Sequence, residues 1–284
     1  MDRIVIFGCG FLGEAAAFLL QGQGHEVCGI TSQEASAATL RDKGLAACAL
    51  DFTDLSALQA WAAGNEEPTA WIHCASSGGR GEAGYESVFR QGLANLCRVW
   101  PSARGIFTSS TSVYAQTDGT WVEETSPATP DRATGKILRQ AEDQLLNHGG
   151  VVLRLAGLYG PGRSVLLRRF LAGEAKIEGD GSRWINQIHR DDAASALAHA
   201  VGETLACGIY NLCDDQPMTQ RDVFTEMARR LQQPLPPSAP PDLNRKRGWT
   251  NKRVANQKLR ATGWQPAYSS FFDAWEQLLA AEQG

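Results

Sequence analysis

The chain alternates short apolar runs with amphipathic stretches. The runs are Arg3 to Phe7, Glu26 to Ile30, Ala46 to Leu50, Ala70 to Cys74, Gly105 to Thr108 and Val151 to Leu155. Short apolar runs separated by segments of helical period predict strands of a parallel sheet joined by helical crossovers. The intervening segments fit, because Phe11 to Leu20, Leu55 to Ala63, Tyr85 to Trp100 and Arg132 to His148 can each carry an apolar stripe at helical spacing. In the last of these, Ile137, Leu138, Ala141, Leu145 and Leu146 share a face. The pattern predicts an α/β fold, a doubly wound parallel sheet with helices on both faces.

After Tyr159 the rhythm breaks at GPGR, followed by a helical stretch from Val165 and the turn GDGSRW. A smaller lobe is expected to begin here. Gln187 to Val201 reads as a strand end and a helix, and Ile209 to Cys213 as another strand. The expected division is therefore a main domain over 1–158, rejoined by 184–215, and a smaller substrate lobe from 159–183 and 216–284. The stretch PLPPSAPP, Pro234 to Pro241, is too proline-rich for a helix interior or central strand and reads as an extended connection. A basic segment, Arg245 to Arg260, and an amphipathic helix from about Phe271 follow.

Composition narrows the chemistry. With 284 residues, 43% of them apolar, the chain can fill such a core. A net charge of −4 gives no overall basic field for nucleic acid, which is not expected as a partner. Cys9, Cys28, Cys48, Cys74, Cys97, Cys207 and Cys213 form no CxxC pair and no Cys/His cluster, so no metal site is expected and reduced thiols in a cytoplasm are. No apolar run is long enough for a membrane span.

Gly8, Gly10 and Gly13 spell GxGxxG directly after the first predicted strand, with Phe11 and Leu12 opening the helix. In a Rossmann-type turn the three glycines serve a tight turn, close backbone approach to a pyrophosphate, and packing of helix on strand. The helix N-terminus then faces the phosphates. A nicotinamide dinucleotide is the expected cofactor. An acidic residue usually closes the second strand and binds the adenosine ribose, but here Thr31 and Ser32 stand there, with Glu34 slightly later. Two small hydroxyl residues leave room for a 2′-phosphate, with Arg41 as a distant partner, so the expectation leans to NADP over NAD. Alternatively, Thr31 and Ser32 simply begin a loop.

With the glycine turn, the segments WIHCAS, FTSSTSVYA and RLAGLYGPGR, and the helix bearing Lys136, the chain resembles the NAD-dependent epimerase/dehydratase family, the extended short-chain dehydrogenases/reductases. INQIHRDDAASAL, IYNLCDD and KRVANQKLRATGW continue the likeness almost to the C-terminus. The resemblance implies that Asp51 and Phe52 lie beside the adenine. It also places Cys74 and Ala75 along the cofactor, and Ser110 as the hydroxyl that holds the reacting oxygen, with Ser112 nearby on the substrate side.

The resemblance also exposes a departure. The family carries Tyr and Lys one helical turn apart; in DRATGKILRQAE, Lys136 matches the lysine and Arg132 stands four residues earlier. Arginine stays protonated and cannot replace a phenol as acid or base, although it can bind an anion or polarise an oxygen. The family's asparagine is also not evident in VFRQG. This places the chain with atypical members that lack the tyrosine. Lys136 remains a candidate for the nicotinamide ribose, against a solvated helix lysine. Tyr114 and Tyr159 are candidate phenols, against packing wedges, and His189 reads as a hydrogen-bonded structural residue. Arg163, Arg183, Arg245, Lys246, Arg247 and Arg253 either ring a substrate pocket suited to phosphates or carboxylates or form a charged surface. The expected function is an NAD(P)-dependent oxidoreductase or epimerase/dehydratase-like enzyme acting on a sugar-like or other carbinol substrate. The competing reading is a non-catalytic NAD(P) sensor. Outer-face helices make a homodimer compatible with the fold by analogy.

Overall fold

The structure, a computed structural model, describes residues 2–202, 205–243 and 248–283. Seven strands form one parallel sheet: β1 (Arg3–Phe7), β2 (Glu26–Thr31), β3 (Ala46–Ala49), β4 (Ala70–His73), β5 (Arg104–Ser110), β7 (Val151–Leu155) and β12 (Gly208–Leu212), in the order β12-β7-β5-β4-β1-β2-β3. The short strands between them in the chain are β6 (Trp121–Val122), β8 (Gly157–Tyr159), β9 (Ile177–Glu178), β10 (Trp184–Ile185) and β11 (Gln187–His189). The direction of strand order reverses between β1 and β4. In an open parallel sheet that reversal opens a crevice at the strands' carboxyl ends, where ligands bind. The fold is the Rossmann-type α/β arrangement that the pattern predicts.

The central strands read as continuous apolar runs because they are covered on both faces. Ile4, Val5, Ile6 and Phe7 have no exposed surface, nor do Val151, Val152 and Leu153. The crossovers are α1 (Phe11–Gly22), α2 (Glu34–Asp42), α3 (Leu55–Ala63), then α4 (Gly81–Tyr85) and α5 (Gly92–Val99), and α6 (Ala133–Asn147). Asp54 caps α3, accepting from the amides of Ser56 and Ala57. Helix α2 has only Ala37 and Leu40 buried, too few apolar positions to announce a helix. The predicted helix Tyr85 to Trp100 is interrupted by a π-helical turn over Glu86–Gln91. Beyond β8 lie α7 (Val165–Leu171), α8 (Arg190–Val201) and α9 (Gln220–Leu231). Helix α8 packs on α1.

A second apolar core gathers Tyr159, Leu167, Phe170, Phe224, Met227, Phe271 and Trp275, away from the core around the main sheet. The proline-rich stretch contains only the short strand Ser238–Ala239, beside β9. All seven cysteines are free thiols. No described helix is long and apolar enough to cross a membrane. Among the described residues no group of three His, Cys, Asp or Glu is placed to hold a metal ion. The basic residues Arg245, Lys246 and Arg247 lie outside the described residues.

Candidate active site

A cleft of about 570 Å³ runs over the carboxyl ends of the strands. Its walls are the turn after β1 (Gly8 to Leu12), the end of β2 (Thr31, Ser32), the β3 loop (Leu50 to Thr53), the β4 loop (Cys74 to Ser76) and the end of β5 (Ser109, Ser110). The glycines of the first turn divide the work as their spacing predicts. A Cβ on Gly8 would lie 2.2 Å from Ala75 Cα, and Gly8 has φ +84°, so both close approach and backbone demand glycine. A Cβ on Gly13 would lie 2.7 Å from Gly8 O and 3.2 Å from Ile6, fixing helix against strand. A Cβ on Gly10 meets nothing within 4 Å; it points into open space.

Helix α1 has no side-chain cap, and Glu14 is the first residue whose amide finds an intrahelical carbonyl, that of Gly10. The amides of its first turn face the cleft with the positive end of the helix dipole behind them. Open space at Gly10 and these free donors fit a dinucleotide pyrophosphate. Asp51 Oδ1 accepts from the Thr53 amide (3.0 Å) and hydroxyl (2.7 Å), shaping the β3 loop. Asn95 Nδ2 donates to the carbonyls of Phe52 (3.1 Å) and Thr53 (2.9 Å), holding that loop from beneath. Burial raises the Cys74 thiol far above its usual range, leaving it neutral.

The floor of the cleft is built by the π-helical turn. Such a turn frees a carbonyl from the helical ladder, and His73 Nε2 meets the freed Val88 carbonyl at 2.9 Å. His73 sits wholly buried among Phe52, Phe89 and Phe107, and burial holds its pKa down at about 4. It is therefore the neutral imidazole that donates. Since the unfolded chain takes up this proton near pH 6.5, stability should fall as pH drops from 6.5 to about 4, by about 3 kcal/mol at most. Urea melts across that range should show the slope, and His73→Gln, which keeps an amide donor, should flatten it. An unchanged slope would refute the assignment.

A second cavity of about 310 Å³ opens beside the first and shares Tyr85 and Leu138 with it. Ser112, Arg132, Thr134, Gly135, Trp249 and Thr250 contribute to its walls. Ser110 in the main cleft and Ser112 in the side cavity are joined by a tight turn in which Ser110 Oγ accepts from the Ser112 amide (3.2 Å). Arg132 reaches the side cavity, its guanidinium donating to the Leu243 carbonyl at 3.3 Å.

Several sequence-derived candidates are placed elsewhere. Lys136 is exposed and lines neither cavity. The helical phase of α6 explains this: Leu138 faces both cavities, and Lys136 lies two positions away, about 200° around the helix. Buried Glu142, one turn beyond Leu138, locks that phase through Arg154 and Ser109. The side chains that α6 presents one turn apart are thus Thr134 and Leu138, and the apolar stripe containing Leu138 carried the signal. Tyr114 is also corrected. Its hydroxyl is buried, accepts from Arg154 Nη1 (2.8 Å) and lies 2.8 Å from Asn211 Oδ1, tied into the structure below the cleft.

Tyr159 packs in the second core against His189 and Phe271, and burial raises its pKa well beyond the usual phenol range. His189 caps α8, its Nδ1 accepting from the Asp191 amide. Arg183 is paired with Glu178 at 3.3 Å and lines neither cavity. Arg253 lies over the rings of Trp121 and Trp184 and donates to the Gly119 carbonyl. Arg41 is held by Glu34 and the Ala47 carbonyl outside the cleft. Arg163 lines the main cleft, as Ser110 does. Tyr85, which begins a predicted helix and carries no sequence signal of its own, lines both cavities. No hydrogen bond engages its hydroxyl among the described residues.

Comparisons with known proteins agree on ancestry. The profile of the NAD dependent epimerase/dehydratase family matches residues 4–213. The chain is 32% identical over 242 residues to protein YeeZ of Escherichia coli K12, covering 81% of this chain and 84% of that one. It is 28% identical over 305 residues to a 3-diazoavenalumate denitrifying reductase of a Streptomyces species, covering 95% and 98% of the two chains. Among solved structures, a candidate NAD-dependent epimerase/dehydratase from Methylobacillus flagellatus superposes with a TM-score of 0.79 at 30% identity, covering 100% of this chain and 99% of its own.

Proposed function

Because this chain belongs to the NAD-dependent epimerase/dehydratase family, we propose that it is an NAD(P)-dependent oxidoreductase acting on a small carbinol or carbonyl substrate that bears an anionic group. The observation that carries this reading is the side cavity opening from the dinucleotide cleft beside Ser110 and Ser112. A module that only sensed the dinucleotide would need no such chamber. The nicotinamide, when bound, supplies the hydride acceptor or donor. Ser110 then holds the reacting oxygen of the substrate, and Arg132 draws a carboxylate or phosphate of the substrate into the side cavity. Tyr85, the one tyrosine that lines both cavities, gives its phenolic proton to the oxygen of a carbonyl substrate as the carbonyl is reduced and regains one from solvent; in the reverse direction it is the phenolate that takes the hydroxyl proton of the alcohol.

Thr31 and Ser32 lining the cleft where an acidic residue would bind the ribose, with Glu34 turned to Arg41, support a preference for NADP. Thermal-shift titrations with oxidised and reduced NAD and NADP should show stabilisation by both, larger for NADP. Following nicotinamide absorbance with a panel of aldehydes and α-ketoacids should then show turnover, lost in Ser110→Ala and Tyr85→Phe while the dinucleotide still binds. No stabilisation by any dinucleotide would sink the reading. Binding without turnover, unchanged by both substitutions, would favour the sensor.

A further inference from the structure

We propose that Arg163 is a cation that clamps the cofactor pyrophosphate at the glycine turn. This rests on the reading that the main cleft holds a nicotinamide dinucleotide. The turn Gly160 to Arg163 is closed by paired backbone bonds, Arg163 N to Gly160 O (2.9 Å) and Gly160 N to Arg163 O (3.3 Å). It is seated directly on the first residue of α1: a Cβ on Gly160 would lie 3.2 Å from Phe11 Cζ and 3.1 Å from Arg190 Cβ. Two guanidiniums lie over the Phe11 ring, that of Arg163 with its Cζ 4.9 Å from the centroid and that of Arg190 at 5.2 Å. Such stacking fixes the plane of a guanidinium while leaving its N–H groups available.

The two arginines differ in charge balance. Arg190 Nε is paired with Asp191 at 2.8 Å, whereas Arg163 makes no ion pair among the described residues. Arg163 also lines the cleft together with Gly10, Phe11 and Leu12, and Arg190 does not. Each phosphate of a dinucleotide carries a formal charge, and a helix N-terminus offers only about half of an opposing one. Within this cleft the free guanidinium of Arg163 adds one full opposing charge, from an element that follows β8.

The test is binding, read by calorimetry on the full chain with NADH, NADPH, ADP and adenosine. Arg163→Gln should weaken both dinucleotides and ADP about ten- to hundredfold, as expected for a charge-assisted hydrogen bond. Adenosine, which lacks the pyrophosphate, should bind as before. The salt dependence of NADPH affinity should become shallower, and Arg163→Lys should recover part of the loss. Arg168→Gln on α7, an exposed arginine outside the cleft, controls for net charge and should change nothing. If wild type binds the dinucleotides and Arg163→Gln binds them and ADP equally well, the clamp is refuted while the cofactor reading stands. An equal loss for adenosine would also overturn it, by showing general damage to the cleft. Failure of wild type to bind any dinucleotide would remove the cofactor reading and the clamp with it.

Discussion

Replacing Arg154 with methionine should destabilise the protein by about 3 to 5 kcal/mol, the usual cost of leaving one member of a buried ion pair alone. Arg154 is 1% exposed and Glu142 is fully buried, between α6 and the β5–β7 strands. Arg154 Nε donates to both carboxylate oxygens of Glu142 (3.0 and 3.2 Å), and Nη2 donates to Oε2 at 2.6 Å. Ser109 Oγ donates to the same carboxylate at 2.5 Å, and Arg139 adds a further bond from the helix surface. The remaining nitrogen, Nη1, donates to the Tyr114 hydroxyl, which connects the pair to Asn211 on β12. Without Arg154 the carboxylate keeps Ser109 and the partly exposed Arg139, and Tyr114 loses its donor. Urea melts measure the loss. The double variant Glu142→Leu with Arg154→Met should regain much of it, because apolar replacement of a whole buried pair is often close to neutral. A single-variant loss under about 1 kcal/mol would show that the network contributes little.

This network also explains what the sequence could and could not disclose. The strands of the main sheet are legible because a parallel strand covered on both faces is mostly apolar, as residues 4–7 and 151–153 are. The glycine turn is legible because its roles are backbone roles, and the geometry at Gly8, Gly10 and Gly13 follows from spacing alone. Lys136 shows the opposite case. Its distance from Arg132 matches a known spacing, yet which residue of a helix faces a cleft depends on the helix's rotation, and on α6 buried Glu142 sets that rotation from the far side of the core. Charged residues mislead for a related reason. Arg183, Arg253 and Arg163 look alike in the sequence, but one is neutralised by Glu178, one is stacked on tryptophans, and one remains free in the cleft. Their fates depend on partners far away in the chain. Tyr85, Trp249 and Thr250 meet only because the end of α4 and a distant loop converge on α6, and no local pattern marks that convergence.

Gly10→Leu should abolish dinucleotide binding, with a loss of affinity of about a hundredfold or more, while altering folding stability by about 1 kcal/mol or less. The two effects separate because of where the new side chain goes. Gly8 and Gly13 cannot serve for this test: a side chain at either meets backbone within 3 Å, so loss of binding would be confounded with damage to the fold. At Gly10 nothing lies within 4 Å of a new Cβ, and φ is −110°, on the side that L-residues adopt. The leucine therefore fits the folded chain and occupies the cleft in front of the first turn of α1, where a pyrophosphate must approach the backbone closely. Thermal melts of the free protein should nearly superimpose with those of wild type, and the stabilisation by NAD and NADP should disappear. Retained binding would mean that the phosphates do not sit at the GxGxxG turn. A large fall in stability without ligand would mean that the space at Gly10 belongs to the fold and not to the cofactor.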